Sequence, residues 1–155
     1  MTTFHLRRIY FALASCAALL VLIAVSLSPA YAVEMPSEDE QDVLIRTTLM
    51  TFNDANMTGN YSVLLAKAAK QFQEKISPEK MAAGFEVFRT KELFFEGVVT
   101  AEYDSEEKAK LEGGELALAG VFKMDNIQVK YRLTFVENAK VWKFIGNDVD
   151  ATKRR

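Results

Sequence analysis

The feature that most constrains the fold is the alternation of apolar and polar residues between Gly113 and Val149. The central run alternates over nine positions, with Ile127, Val129, Tyr131, Leu133 and Phe135 on one face and polar side chains between them. A period of two is typical of a half-buried β-strand. Short turn-forming connections separate the three runs. The stretch therefore predicts three long strands in an antiparallel meander.

The flanking runs extend this pattern on both sides. The preceding run places Leu116, Leu118, Gly120 and Phe122 on one face, and the last begins at Val141. We expect the turns at Asp125-Asn126 and Asn138-Ala139. Gly120 and Gly146 lie inside strands, where glycine often marks a bulge or bend. Bends at these points predict a concave sheet.

The first 32 residues are predicted to be a signal peptide rather than part of the domain. Arg7 and Arg8 precede an apolar run, and residues 29–32 offer a cleavage site after Ala32. We therefore expect export to the periplasm or secretion, with no membrane association after cleavage. Two alternatives stay open: an uncleaved membrane anchor, and a lipoprotein attached through Cys16, since residues 13–16 resemble a lipobox.

Cleavage would remove the only histidine, His5, and the only cysteine, Cys16. Disulfides, cysteine nucleophiles, histidine acid–base catalysis and ordinary zinc sites would then be excluded. Arg7 and Arg8 would leave too, so residues 33–155 keep 17 of the 19 basic and all 21 acidic side chains, a net charge of −4. This balance argues against nucleic-acid binding. We expect no cofactor and no metal.

Helices are predicted between this segment and the strands. After a lead-in at 33–36, Ser37 and Glu40 have the spacing of a capping box, which predicts a helix to about Asn56. The stripe Ile45, Leu49, Phe52 and a second stripe, Val43, Met50, Met57, predict a helix buried on two sides. A short helix, started by Asn60, is expected at about 61–69.

The order continues with a third helix and an additional strand. Ser77 and Pro78 predict a helix start, followed by the apolar stripe Met81, Phe85 and Phe88. The apolar, β-prone segment 93–103 predicts the first strand of the sheet. Residues 104–114 are expected to form a solvated loop or irregular hairpin, and residues 151–155 a basic tail.

This order of elements resembles the nuclear transport factor 2-like superfamily, the cystatin-like α+β fold that includes ketosteroid isomerase-like and SnoaL-like proteins, and in particular its small exported bacterial branch. The matching stretches are Phe52-Asn53-Asp54, Gly59-Asn60-Tyr61, Ser77-Pro78-Glu79-Lys80-Met81, Gly114-Glu115-Leu116 with Gly120, Val129 to Phe135, and Val141 to Gly146. They cover most of residues 37–150, which we take as the domain. The resemblance implies a cone-shaped fold, with N-terminal helices in the concave face of a bent antiparallel sheet, a pocket at the open end, and frequent dimerisation through the sheet.

The resemblance does not carry an activity, because this fold supports enzymes, binding modules and transport adaptors. No catalytic set of the superfamily maps onto this chain, so no catalytic residue is assigned. The abundant aromatic residues instead favour non-catalytic binding of a small apolar ligand, or of a partner protein, in the cone. The candidate pocket residues are Tyr131, Trp142, Phe52, Phe88 and Tyr103. Tyr131 and Trp142 lead because a buried hydroxyl or indole N–H needs a polar partner.

Two alternative functions stay open. A lyase- or isomerase-type enzyme would use a carboxylate base with a raised pKa, for which Glu115 and Asp148 are candidates. A core filled by side chains would instead indicate a purely structural or interaction domain. Independently, the small and apolar residues on the second face of the sheet predict a homodimer.

Overall fold

A computed structural model describes residues 33–154. The predicted signal peptide, with Cys16 and the cleavage site after Ala32, lies outside the described residues. The helices are α1 (Glu38–Thr58), α2 (Ser62–Lys67), α3 (Lys70–Gln73), α4 (Pro78–Gly84) and α5 (Glu86–Thr90), followed by a 3-10 helix (Glu96–Val99). The strands are β1 (Tyr103–Ser105), β2 (Lys110–Glu112), β3 (Glu115–Lys123), β4 (Ile127–Asn138) and β5 (Val141–Lys153). All five belong to one antiparallel sheet, and helices pack against it, which confirms the α+β class.

The predicted meander of three long strands is confirmed. Strand β4 pairs with β3 on one side and β5 on the other. Its alternate residues, from Ile127 to Phe135, are buried against the helices. Near Gly146 the register shifts, because Thr134 pairs with Gly146 while Phe135 pairs with Phe144. The predicted bulge is therefore present at Gly146, with Ile145 as the extra residue.

Gly120 has a different role from the predicted bend. A Cβ atom at this position would lie 2.6 Å from the Tyr131 hydroxyl and 2.7 Å from the backbone oxygen of Asp104. Tyr131 is the direct partner of Gly120 across the strands. Only glycine leaves room for the tyrosine ring to lie across β3.

The loop predicted at 104–114 contains two short strands along one edge of β3. Tyr103 to Ser105 pair with Phe122 to Gly120, and Lys110 to Glu112 pair with Ala117 to Glu115. Residues 106–109 interrupt what would otherwise be one continuous edge strand. This arrangement is one form of the irregular hairpin that we expected.

Helix α1 begins and ends as the sequence predicts, but it is buried on one side. The capping box between Ser37 and Glu40 is formed, and Gly59 ends the helix in the left-handed conformation (φ 71°). The stripe Ile45, Leu49 and Phe52 is buried. The prediction of a second buried stripe is wrong, because Val43 is 58% exposed and Met57 is 48% exposed.

The prediction of a strand at 93–103 is also wrong. Residues 96–99 form a 3-10 helix, and β1 begins only at Tyr103. Polar side chains of α1 bind the backbone of this segment: Asn53 accepts a hydrogen bond from the Phe95 amide at 2.8 Å, and Arg46 donates to the carbonyls of Val98 and Ala101. These backbone groups are therefore not available for a sheet, and tertiary contacts override the β propensity.

The short helices differ in length from their predictions. Helix α2 begins at Ser62 and ends at Lys67, with Tyr61 at the N-cap position and no side-chain cap. Asn60, the predicted cap, lies one residue earlier, and its side chain accepts from the Ser62 amide at 3.0 Å. The helix ends early because the Ala69 amide donates to the carbonyl of Phe144 in β5 at 2.8 Å. The helix start at Ser77 and Pro78 is confirmed.

Residues 151–154 differ from the predicted basic tail. Strand β5 continues to Lys153, and Ala151 is buried. Arg154 then donates from its amide to Asn126 and from its guanidinium to Met124. The end of the described chain is therefore bound to the β3–β4 turn. Within residues 33–154, no helix combines the length and the hydropathy needed to cross a bilayer.

Candidate functional site

A cleft of about 300 Å³ opens between α1, α2 and the end of the sheet formed by β4 and β5. Its apolar wall combines Leu44 of α1 and Leu64 of α2 with Phe135, Trp142 and Phe144 of the sheet. The residues that complete the lining are Thr47, Thr48, Thr51, Ala66, Lys67, Val141 and Lys143. The cleft therefore has an apolar interior with polar groups along its helical edge.

The early end of α2 produces one wall of this cleft. After Lys67 the chain becomes extended at Ala68, and the Ala69 amide then binds the Phe144 carbonyl at 2.8 Å. The ring of Phe72 packs edge-on against Phe144, with centroids 5.5 Å apart. These contacts hold α2 next to β5, so the side chains of Ala66 and Lys67 border the cleft.

Threonines of α1 supply the polar edge. The Thr51 hydroxyl donates to the Thr47 carbonyl at 2.7 Å and accepts from the Lys67 ammonium group at 2.8 Å. Thr48 is only 8% exposed. The Lys67 ammonium group is therefore held at the cleft by an uncharged acceptor, the Thr51 hydroxyl.

A second apolar surface continues from the cleft along the outside of α1. This groove has a volume of about 380 Å³ and shares Leu44, Val141 and Trp142 with the cleft. Val43 and Val141, which are 58% and 55% exposed, also border it. Its charged residues are Asp39, Glu40 and Lys140. The cleft and the groove together form one elongated apolar surface.

The structure places the five predicted pocket residues in three separate regions. Trp142 borders both the cleft and the groove. Phe52 and Phe88 pack edge-on at 5.0 Å, with Phe85 and Phe95 completing an aromatic cluster under α1. Of these two, Phe88 also borders an open cleft of about 670 Å³ beside the end of β5.

Tyr103 and Tyr131 lie together in the third region. Both rings contact Phe122, with centroids 4.9 and 5.7 Å away. The half-buried guanidinium of Arg46 lies 5.5 Å from the Tyr103 ring and is bound by Asp42 at 2.8 Å. Burial raises the pKa of both tyrosines, and the Asp42 carboxylate raises the pKa of Tyr103 further. The Tyr131 hydroxyl is buried and has no hydrogen-bond partner within residues 33–154.

The two candidate carboxylate bases are both exposed. Glu115 is the first residue of β3, where it is exposed between Glu112 of β2 and Val136 of β4. Asp148 lies opposite Arg132 on the outer face, where it borders a recess of only about 80 Å³. Neither carboxylate borders the cleft, the groove or the aromatic cluster. In the part of the chain that the structure describes, three or more metal-ligating side chains do not come together at any point.

The residues on the helical side of the cleft were not predicted from the sequence. Leu44, Thr51 and Lys67 carried no predicted role, yet they define its apolar wall and its positive charge. The closely spaced threonines of α1, Thr47, Thr48 and Thr51, were an available signal, because residues three or four positions apart share a helix face and place their hydroxyl groups together.

Comparisons of this chain with protein-family models, with curated proteins and with solved structures found no match.

Proposed function

We propose that this chain is an exported, non-catalytic binding domain that takes a small apolar ligand in the cleft between α1, α2 and β5. The observation that carries the proposal is the cleft itself: about 300 Å³, with Leu44, Phe135 and Trp142 in its wall. Ligand sites are concave, mostly apolar and provided with a few polar groups that fix orientation. The threonines and Lys67 are such groups.

The composition of the lining favours binding over catalysis. Among the described residues that border the cleft, the only ionisable side chains are Lys67 and Lys143. A carboxylate base, which the lyase or isomerase alternative requires, is missing from this lining, and Glu115 and Asp148 are exposed elsewhere. We therefore place the enzyme alternative second.

We further propose that the fold is of the nuclear transport factor 2-like type. The succession of a long helix, short helices and an antiparallel sheet supports this, as does the bulge in β5. The aromatic cluster around Phe52 fills the space under α1. Binding is therefore proposed for the cleft beside Trp142 and not for the centre of the domain.

The single tryptophan makes the proposal directly testable. The purified protein would be titrated with 8-anilino-1-naphthalenesulfonate, an apolar dye with one anionic group, while energy transfer from Trp142 is recorded. We expect saturable transfer, because the dye would lie next to the indole ring. An Ala66→Phe variant, which fills the cleft from α2, should weaken binding at least tenfold.

Ala83→Phe provides the matched control. Ala83 is exposed on α4 and does not border the cleft, so the same substitution there should leave dye affinity unchanged. Circular dichroism would verify that both variants are folded. If the two variants bind the dye equally well, the cleft is not the binding site and the proposed function is wrong.

A further inference from the structure

We infer that the ligand of this cleft is an unbranched aliphatic chain with one anionic head group, bound with the head at Lys67 and the chain across Trp142. This inference rests on the proposed function. It adds the shape of the ligand, its charge and its direction in the site.

The shape follows from the continuity of two surfaces. The cleft of about 300 Å³ and the groove of about 380 Å³ share Leu44, Val141 and Trp142. A compact ring system would fill the cleft and leave the groove exposed to water. An extended alkyl chain can cover both, including the exposed side chains of Val43 and Val141. Burial of that apolar surface is the main favourable term in such binding.

The charge follows from the two lysines of the cleft. Lys67 and Lys143 border it, and neither forms an ion pair within residues 33–154. Lys67 donates instead to the neutral hydroxyl of Thr51 at 2.8 Å. A carboxylate or sulfonate at this point would receive a charge-assisted hydrogen bond, which is about twice as strong as a neutral one.

The orientation of the ligand follows from the charges of the groove, at the other end of the apolar surface. The groove carries Asp39 and Glu40 with one lysine, Lys140. The Glu40 carboxylate is fixed by the backbone amide and the hydroxyl of Ser37, at 2.8 and 2.9 Å, and these hydrogen bonds lower its pKa. This end therefore has a net negative charge, whereas the cleft has two positive charges. An anionic head group is favoured at the cleft end only.

The experiment measures how well different compounds displace 8-anilino-1-naphthalenesulfonate from the full chain. The compounds differ from one another in one property, and each is used below its critical micellar concentration. Decanoate, decanol and decylamine test the charge, and carboxylates of six to twelve carbons test the length. Adamantane-1-carboxylate tests the shape. We expect decanoate to bind at least tenfold more tightly than decylamine, and affinity to rise about fourfold per added CH2 until the groove is filled.

Variants test the direction. Lys67→Gln should weaken decanoate about tenfold and leave decanol unchanged, because decanol has no charge to lose. Lys91→Gln is the matched control, since Lys91 borders the separate cleft beside Phe88. It should change neither affinity. Equal losses of decanoate and decanol in Lys67→Gln would contradict a head-group contact.

The possible failures are distinct. If adamantane-1-carboxylate or decylamine binds as tightly as decanoate, in a manner abolished by Ala66→Phe, the inference is wrong while the cleft remains a ligand site. If none of these compounds displaces the dye although Ala66→Phe weakens dye binding, the inference alone is wrong. If dye binding is insensitive to Ala66→Phe, both the inference and the proposed function are wrong.

Discussion

Tyr61 and Tyr131 are both almost fully buried, at 1% and 2% exposure, but their hydroxyl groups have opposite surroundings. The Tyr61 hydroxyl donates to Asn56 at 2.5 Å and accepts from Arg89 at 2.7 Å. The Tyr131 hydroxyl has no partner within the described residues. A buried polar group without a partner costs about 1–3 kcal/mol, so these two hydroxyls make opposite contributions to stability.

We predict that the two Tyr→Phe substitutions change stability in opposite directions. Tyr61→Phe should lower the free energy of unfolding by about 1–2 kcal/mol, because Asn56 and Arg89 lose their common partner. Tyr131→Phe should leave it unchanged or raise it by about 1 kcal/mol. Urea denaturation of the two variants provides the comparison. A loss above 1 kcal/mol in Tyr131→Phe would mean that its hydroxyl is hydrogen-bonded.

Glu107 gives a prediction for pH dependence. Hydrogen bonds from Arg132 and Lys110, at 2.7 and 3.0 Å, lower its pKa to about 2 from an ordinary value of 4.5. Because the pKa is lowered in the folded state, the associated stabilisation is present above pH 4.5 and is lost as the pH falls toward 2. Carboxyl-carbon NMR titration should show this pKa, and Arg132→Gln should shift it upward. Lys123→Gln, which removes the exposed pair with Asp104, should not.

Among the elements, the β4–β5 hairpin contains an unusual turn. Ala139 and Lys140 both have positive φ angles, 51° and 63°, and they connect Asn138 directly to its partner Val141. Two central residues with positive φ are characteristic of a type I′ turn, which favours Asn and Gly and gives the strands their natural twist. Neither residue present here is favoured in that conformation.

We therefore predict opposite effects for two substitutions at Ala139. Ala139→Asn should stabilise the domain by about 0.5 kcal/mol, because asparagine tolerates the left-handed region. Ala139→Val should destabilise it by about 1 kcal/mol, since a β-branched residue is strained there. Midpoints of thermal unfolding would measure both. Equal midpoints for the two variants would argue against the turn conformation.

The strands and the segment before them differ in how far local sequence determines their conformation. The meander from Glu115 to Lys153 was predictable, because alternation and turn residues are local signals that tertiary contacts did not override. The segment after Leu93 was not, because its conformation depends on Asn53 and Arg46, which are 42 and 52–55 residues away from the backbone groups that they bind. No local pattern records a hydrogen bond across that separation.

The site was predictable only in part for the same reason. Trp142 could be selected because its indole N–H needs a polar partner when buried, which is a property of the residue type alone. Lys67 could not, because its position depends on the early end of α2. That end is caused by a hydrogen bond to β5, which a reading of residues 61–69 alone does not contain. Val43 was assigned to a buried stripe by periodicity, although nothing in the described residues covers it.

For the whole molecule, the outer face of the sheet divides into a charged and a less charged part. Lys130 and Arg132 pair with Glu106 and Glu107 of the β1–β2 loop at 3.0 and 2.7 Å. Toward the β4–β5 hairpin, the outward residues of β4 are instead the partly buried Thr134, between Ala117 and Gly146, and Val136, between Glu115 and Lys143. The predicted homodimer is therefore best proposed through the hairpin half of this face.

Light scattering at micromolar concentration tests this proposal. We expect twice the chain mass for the wild-type protein and a single-chain mass for Thr134→Glu, because its cross-strand neighbours Ala117 and Gly146 offer no partner for a charge buried in the interface. Gln128→Glu, at the other end of the same face, is the control and should stay dimeric. A wild-type protein of single-chain mass would contradict the proposed dimer.

The position of α1 relative to the strands has a consequence for the folding pathway. The helix is synthesised before every strand, yet its buried residues Leu49 and Phe52 belong to one core with residues of β3, β4 and β5, far along the chain. Contacts of such high sequence separation form slowly, because loop closure precedes the gain from burial. The meander, with its local pairings, should form first, and docking of α1 should limit the rate. A nascent chain of this protein would therefore remain open until β5 has been made, so its apolar helix face stays accessible throughout synthesis.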